Sequence, residues 1–295
     1  MRSAKFNAAQ TAGIRAAVCP DPVQVIAVTG GKGGVGKTSV AVNLAAALAD
    51  QHKRVLLFDG DMGLANVDVL LGLTPRHTLE HVLDGRCTLE EAVVDSPLGF
   101  KVLPGASGVA RLSELSTAEH LGLVQAFSHL TAGLDVLVVD TAAGIADSVR
   151  QFCQAAQQVL VVVRDEPASL TDAYALIKLL NRSNGVRRFR ILANMSPTPG
   201  AGESLFRKLE RVTNRFLDVV LEYAGEIPED SFVRSAIREQ RAVVDAFPSS
   251  PAARAFVRLA RQAEKWPLAK GPRGNVEFFM ERLLPANMPR LEAVR

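Results

Sequence analysis

Short continuous apolar runs alternate with helical segments along most of the chain. Runs rich in Val, Leu and Ile are typical of strands that are covered on both faces. Strands that alternate with helices predict a parallel sheet with helices on its faces. We therefore predict an α/β fold with a doubly wound, mostly parallel sheet of about seven or eight strands flanked by helices. The predicted strands are Val23–Val28, Arg54–Phe58, Phe100–Leu103, Asp135–Val139, Gln158–Val163, Phe189–Ala193 and Val219–Glu226.

The same pattern divides the chain into three parts. Residues 1–22 form an alanine-rich extension that ends at Pro20-Asp-Pro22, a stop signal for a helix. Residues 23–268 hold all the predicted strands and form one domain. Residues 269–295 form a tail with one short amphipathic segment.

The amphipathic segment at 276–284 has two open interpretations. Its polar side carries Glu277, Glu281 and Arg282, whereas a helix that lies on a membrane typically has a basic polar face. We therefore keep both contact with a membrane surface and packing against protein as alternatives. Its apolar side chains share one helical face, and they are Val276, Phe279, Met280, Leu283 and Leu284.

A glycine-rich run follows the first predicted strand and precedes a helical segment. It fits G-x-x-x-x-G-K-[ST], the loop that cradles phosphates with backbone N–H groups at a helix N-terminus. Lys37 would neutralise the β- and γ-phosphates, and the Thr38 hydroxyl would ligate Mg²⁺. The predicted nucleotide contacts here are Gly31, Lys32, Gly33, Gly34, Val35, Gly36, Lys37, Thr38 and Ser39.

Lys32 is a second lysine inside this loop, and the general motif does not require it. A spare lysine suggests contact with the phosphates of a nucleotide held by another subunit. ATP would then act as a dimerisation switch as well as a fuel.

Polar residues follow several of the predicted strands. Asp59 and Asp61 follow the second strand, Asp140 follows the fourth, and Asn194 follows the sixth. In parallel sheets the carboxyl ends of the strands form one ligand-binding edge. A Mg²⁺–ATP site needs carboxylates near the metal and a group that orients the attacking water. We assign Thr38, Asp59 and Asp140 to Mg²⁺, and Asp61 to catalysis beside Lys32 and Lys37.

The loop and the two carboxylate clusters resemble the deviant-P-loop ATPases of the MinD/ParA group. The resemblance rests on the KGGVGKT run, on Asp59-Gly60-Asp61 and on Asp140-Thr-Ala-Ala-Gly144. Three further segments are similar to the flagellar branch of that group, the flagellar-number regulators FleN or FlhG. These segments are Gly63–Gly72, Asp165–Leu180 and Glu277–Leu283.

The resemblance implies a P-loop NTPase that uses ATP and Mg²⁺ and closes into a face-to-face homodimer when ATP is bound. It implies that Lys32 contacts the phosphates of the second subunit and that Asp61 is the hydrolytic aspartate. It also implies an adenine site made by Asn194, Ile227, Pro228, Glu229 and Asp230.

The flagellar branch further implies a partner, an AAA+ flagellar transcriptional activator of the FleQ type, which is antagonised so that flagellar number is limited. A second implied partner is the signal-recognition-type GTPase FlhF, which some relatives stimulate through an N-terminal D-Q-A-x-x-L-R helix. Here Ala9–Arg15 keeps Gln10 and Arg15 of that pattern but lacks its acidic start. An activator helix and an irregular leader both remain open for residues 1–22.

Composition narrows the alternatives. The net charge is only +3, so the overall charge does not indicate a polyanionic partner. None of the three cysteines forms a C-x-x-C pair, which indicates a reducing cytoplasm. A peripheral position at the membrane or the cell pole is kept as an option. No apolar run has the length of a membrane-spanning helix. A ParA-like partition ATPase acting on DNA and a MinD-like membrane positioner remain alternatives.

The basic stretch at 182–215 is the one feature that could indicate DNA binding, but we do not expect DNA to be a partner. It lacks interleaved aromatic residues, so a solvated surface is the simpler interpretation. Its basic residues are Arg182, Arg187, Arg188, Arg190, Arg207, Lys208, Arg211 and Arg215.

Overall fold

The structure is a computed structural model that describes residues 23–61, 66–105, 123, 126–127, 130 and 133–268. The extension at 1–22, with its activator-helix alternative, lies outside the described residues. So does the tail at 269–295 with the amphipathic segment at 276–284.

A single eight-stranded sheet runs through the described domain, as the apolar pattern predicts. The strand order is β3-β4-β2-β5-β1-β6-β7-β8, and only the edge strand β3 is antiparallel to its neighbour. The strands are β1 (Gln24–Thr29), β2 (Val55–Gly60), β3 (Val94–Asp95), β4 (Lys101–Leu103), β5 (Val136–Thr141), β6 (Gln158–Val163), β7 (Arg188–Ser196) and β8 (Val220–Pro228).

The structure corrects the predicted strand ends. Asp59 and Asp140 were expected just after their strands, but they lie inside β2 and β5 and face each other in register. Asn194 lies inside β7 and pairs with Ile227 of β8. Ladder hydrogen bonds are made by the backbone, so a polar side chain does not end a strand that has neighbours on both sides. The edge strand β3 was missed because two residues show no periodicity.

Helices cover both faces of the sheet. One hydrophobic cluster contains α1, α9 and α10, and two further clusters lie on the opposite face. The helix after the glycine-rich loop, α1, is buried along most of its length because its small alanine side chains let neighbours approach closely. The described helices are α1 (Lys37–Asp50), α2 (Val67–Leu71), α3 (Leu79–Leu83), α4 (Leu89–Ala92), α5 (Asp147–Ala155), α6 (Pro167–Asn184), α7 (Ala201–Phe216), α8 (Ser231–Arg238), α9 (Val243–Ala246) and α10 (Pro251–Ala263).

A polar cluster at the amino ends of β6 and β7 holds the chain after α10. The buried Arg190 donates from Nε to Gln158 Oε1 at 2.9 Å, forms an ion pair with Glu222, and stacks 4.4 Å from the centroid of the Trp266 ring. Gln158 Nε2 in turn donates to the Pro267 carbonyl at 2.8 Å. We call these residues the Arg190 cluster. It attaches the end of the described chain, at Trp266 and Pro267, to the sheet.

Ion pairs neutralise much of the basic stretch at 182–215. Arg187 pairs with Asp218, and both Arg188 and Arg190 pair with Glu222. Arg207 pairs with Glu203 on α7, and Lys208 of α7 pairs with Asp165, which lies between β6 and α6. Within the described part of the chain, no helix is both long and apolar enough to cross a membrane.

Candidate active site

The glycine-rich loop joins the end of β1 to the start of α1. Gly36 precedes the helix with a φ of 91°, in the left-handed region that favours glycine. A Cβ at Gly36 would also lie 2.4 Å from Asn194 Nδ2. At Gly31 a Cβ would lie 2.2 Å from the Asp172 carbonyl oxygen of α6. The loop is therefore packed between α6 and the end of β7, where no side chain fits at either glycine.

Asn194 connects the end of β7 to this loop. Its buried Nδ2 donates to the Val35 carbonyl oxygen at 2.8 Å, a bond between residues far apart in sequence. The side chain therefore helps to fix the loop in the described structure. An adenine contact by Asn194 remains a prediction.

Lys37 is buried at the start of α1, with 8% of its surface exposed. Burial lowers the pKa of its ammonium group, and the nearby Asp140 and Asp61 carboxylates oppose that shift. A buried cation at the mouth of a loop of backbone N–H groups is suited to bind phosphate oxygens.

Asp140 is a fully buried carboxyl group in the centre of the sheet. Burial raises its pKa to about 8, and the hydrogen bond from the Thr38 hydroxyl opposes the shift. Its Oδ1 is buried and accepts no hydrogen bond from the described residues. A buried oxygen without a donor, beside a threonine hydroxyl, fits the hard oxygen ligands that Mg²⁺ takes. Thr38 and Asp140 would therefore hold Mg²⁺.

Asp59 is committed to the backbone on the carboxyl side of β2. Its Oδ1 accepts the Asp61 N–H at 3.1 Å, and its Oδ2 accepts the N–H groups of Asn66 and Val67 at 3.2 and 3.3 Å. Burial raises its pKa to about 6 despite these bonds. In the described structure Asp59 organises the approach to α2, and its metal role remains a prediction.

Asp61 lies close to the other charged groups of the site. It is half-buried, and its carboxylate is close enough to act on the pKa values of Lys37, Asp59 and Asp140. The structure therefore brings the loop lysine and the three predicted aspartates together. Positioning of the attacking water by Asp61 remains a prediction.

Lys32 does not point toward this group. Its Nζ lies 3.5 Å from Glu166 Oε2, and 42% of its side-chain surface is exposed. The other carboxylate oxygen of Glu166 lies 3.2 Å from Arg164 Nη1. Sequence reasoning missed Glu166, although it follows β6 at the same edge and the argument that found Asp59 and Asp140 applies to it equally.

The predicted adenine segment at 227–230 has structural contacts of its own. Ile227 is buried, and Pro228 pairs with Ser196 at the end of the sheet. Asp230 caps α8 by accepting the Phe232 N–H at 2.9 Å, and it accepts the Ala252 N–H at 3.0 Å. Glu229 forms an ion pair with Arg234 at 3.6 Å. Adenine contacts by these residues remain predictions.

A phosphate loop at the start of α1, with buried carboxylates at the carboxyl ends of the adjacent central strands, defines a P-loop nucleotide-binding protein. The family model of the CobQ/CobB/MinD/ParA nucleotide binding domain matches residues 26–243. The chain therefore belongs to the MinD/ParA family of nucleotide-binding proteins.

Relatives across this family agree with that assignment. The chain is 60% identical over 263 residues to the antiactivator FleN of Pseudomonas aeruginosa, covering 89% of this chain and 94% of FleN. It is 36% identical to the flagellum site-determining protein YlxH of Helicobacter pylori, covering 73% of each chain. The crystal structure of the cell division ATPase MinD of Pyrococcus furiosus superposes with a TM-score of 0.66 at 28% identity, covering 83% of this chain and 99% of MinD.

Proposed function

We propose that this chain is a regulatory ATPase that dimerises on binding ATP and limits flagellar number by antagonising an AAA+ transcriptional activator of the FleQ type. The observation that carries the proposal is the 60% identity to an antiactivator over nearly the whole of both chains. ATP and Mg²⁺ are its cofactors. ATP hydrolysis, at a slow regulatory rate, ends the antagonism.

The residues of the site divide the work. The loop backbone and Lys37 bind the phosphates, and Thr38 and Asp140 hold Mg²⁺ with support from Asp59. Bound Mg²⁺ supplies positive charge that neutralises the phosphates. Asp61 orients the attacking water. The buried position of Lys37 strengthens its attraction for anions, because the surrounding protein screens charge less than water does.

Dimerisation is the proposed role of Lys32. Its exposed ammonium lies on the surface beside Glu166 rather than among the buried carboxylates, which supports its use on the nucleotide of a second copy. A signal-recognition-type GTPase of the FlhF kind is a second proposed partner. We place the protein in the cytoplasm, with peripheral contact at the membrane or pole as an option.

The test uses two variants of the full chain and the purified AAA+ activator of the same organism. Asp61→Ala should bind ATP, hydrolyse it at least about tenfold more slowly, and accumulate as a dimer that binds the activator. Lys37→Ala should fail to bind ATP and fail to bind the activator. Calorimetry measures ATP binding, phosphate release measures hydrolysis, and light scattering measures both the dimer and its complex with the activator.

Several results would contradict the proposal. Retained Mg²⁺–ATP affinity in Lys37→Ala would remove the assigned phosphate site. Normal turnover in Asp61→Ala would remove Asp61 from hydrolysis. Equal activator binding with and without ATP would contradict the claim that ATP controls this binding. ATP-dependent retention on DNA would favour a partition ATPase, and ATP-dependent retention on lipid vesicles would favour a membrane-positioning ATPase.

A further inference from the structure

A cavity of about 470 Å³ opens beside the nucleotide site. It lies between α2 and α8, and we call it the α2–α8 pocket. Thr38 forms part of its wall, so the pocket borders the residue that would hold Mg²⁺. Its other walls include Asn66, Val69, Ile237, Arg238 and Gln240. None of these five residues belongs to the predicted nucleotide contacts.

The rim of the pocket exposes large apolar side chains. Val69 is 62% exposed and Ile237 is 42% exposed. Single exposed apolar residues are ordinary, but two that line one cavity form a surface that could bury an apolar side chain of a partner. A cavity of this volume exceeds the size of one large side chain.

Charge identifies the kind of partner. No carboxylate within the described ranges lies at ion-pairing distance from Arg238, whereas Arg234 and Arg241 nearby have acidic partners. A partner that places a carboxylate next to an apolar side chain would satisfy both Arg238 and the exposed pair. Buried arginines and apolar anchors are typical of the energetic centre of a protein interface.

Nucleotide binding can reach this surface through α2. The amino end of α2 is held by Asp59, whose Oδ2 accepts hydrogen bonds from the N–H groups of Asn66 and Val67. The carboxyl end of α2 is tied to the end of α8, because Gln240 Nε2 donates to the Val69 carbonyl at 3.1 Å. A movement of Asp59 would therefore displace α2, which forms one wall of the pocket, and would act on the end of α8 through the Gln240 hydrogen bond.

We propose that the α2–α8 pocket is the docking site for the AAA+ activator, which inserts an apolar side chain flanked by a carboxylate. The proposal rests on the proposed function, since it names the surface through which the antagonism acts. Its place beside Thr38 and its attachment to Asp59 make the docking site responsive to the nucleotide.

The experiment measures binding of the full chain to the purified activator in the presence of a non-hydrolysable ATP analogue. Val69→Asp and Arg238→Glu should each weaken binding about tenfold or more, because a charge in the apolar pocket or opposite a carboxylate removes a central contact. Matched controls on α7 are Val212→Asp, at a valine that is 43% exposed, and Arg211→Glu. These controls should change binding by less than about twofold.

Two further measurements make the outcome decisive. ATP affinity and ATP-induced dimerisation should stay within about twofold of wild type in Val69→Asp and Arg238→Glu. Loss of dimerisation in these variants would show that a second copy covers the pocket, and it would overturn the proposal. Wild-type activator binding in both variants would overturn it while leaving the proposed function intact. Failure of the wild-type chain to bind the activator would overturn both.

Discussion

The glycines of the phosphate loop have different physical reasons for being glycine. Gly31 has no room for a side chain because the α6 backbone at Asp172 lies against it. Gly33 has open space around the position of a Cβ, and its φ is not in the left-handed region. The motif requires glycine at Gly31 but accepts any residue at Gly33, and the packing supplies the physical reason for that difference.

We therefore expect Gly31→Ala and Gly33→Ala to differ in the nucleotide-free protein. Gly31→Ala should lower the free energy of unfolding by about 2 kcal/mol, since loop or helix must move to relieve the clash. Gly33→Ala should leave the free energy of unfolding unchanged or raise it by about 0.5 kcal/mol, because alanine lowers the conformational entropy of the unfolded chain. Urea titration with EDTA measures both. Equal losses in the two variants would show that the loop does not pack on α6 as described.

The buried carboxyl of Asp140 makes stability depend on pH. Its pKa is raised to about 8 in the folded state, so the folded chain retains a proton that the unfolded chain has released. Stability should therefore fall as pH rises from about 4 and level off above about 8. Between about pH 6 and pH 8 the loss should reach about 2–3 kcal/mol in EDTA without nucleotide.

The measurement is denaturant unfolding of wild type and Asp140→Asn at several pH values. Because Asn does not titrate, the variant should show a flatter profile over this window. Parallel profiles for the two proteins would contradict the assignment of the slope to Asp140.

At the scale of elements, the apolar pattern predicts the existence and order of the strands well, but it predicts the residues at which the strands end less well. All seven predicted strands form, and their parallel arrangement follows from the helices between them. The pattern could not place Asp59 and Asp140 inside strands, because their neighbours across the sheet continue the ladder. It also could not reveal the Lys32–Glu166 pair, which depends on how the loop lies against the end of β6.

The Arg190 cluster gives a prediction about the attachment of α10. Arg190→Ala should lower the free energy of unfolding by about 2–3 kcal/mol, since it removes a buried ion pair and a stacked cation. Trp266 is the only tryptophan, so its fluorescence should shift to the red as the ring loses its cover. Arg187→Ala, at an exposed pair, is the control and should change neither property. An unshifted emission spectrum in Arg190→Ala would exclude the stacking.

For the whole molecule, one edge of the sheet concentrates the chemistry. The loop lysine and the aspartates meet at the carboxyl ends of β1, β2 and β5, while Lys32 sits at the surface of the same edge. A second copy that approaches this edge would therefore meet Lys32 before it meets any other residue of the loop that carries charge.

Lys32→Ala should keep ATP affinity within about twofold of wild type but weaken ATP-induced dimerisation by about tenfold or more, because the charge lost would act on the second nucleotide. Calorimetry gives the affinity, and sedimentation with the ATP analogue gives the dimer. Lys53→Ala, at a half-buried lysine paired with Glu264, serves as the control. Normal dimers in Lys32→Ala would refute the cross-subunit contact.

The facing pair of Asp59 and Asp140 has a consequence for how long the protein survives. Two carboxyl groups with raised pKa values lie in register in the central strands. Burying them lowers the free energy of unfolding of the nucleotide-free protein. Ligands that bind only the folded state raise the free energy of unfolding by mass action and offset this loss. Degradation of an empty chain should then outpace that of a loaded one. The abundance of this protein would then follow the fraction of it that is occupied by nucleotide and Mg²⁺.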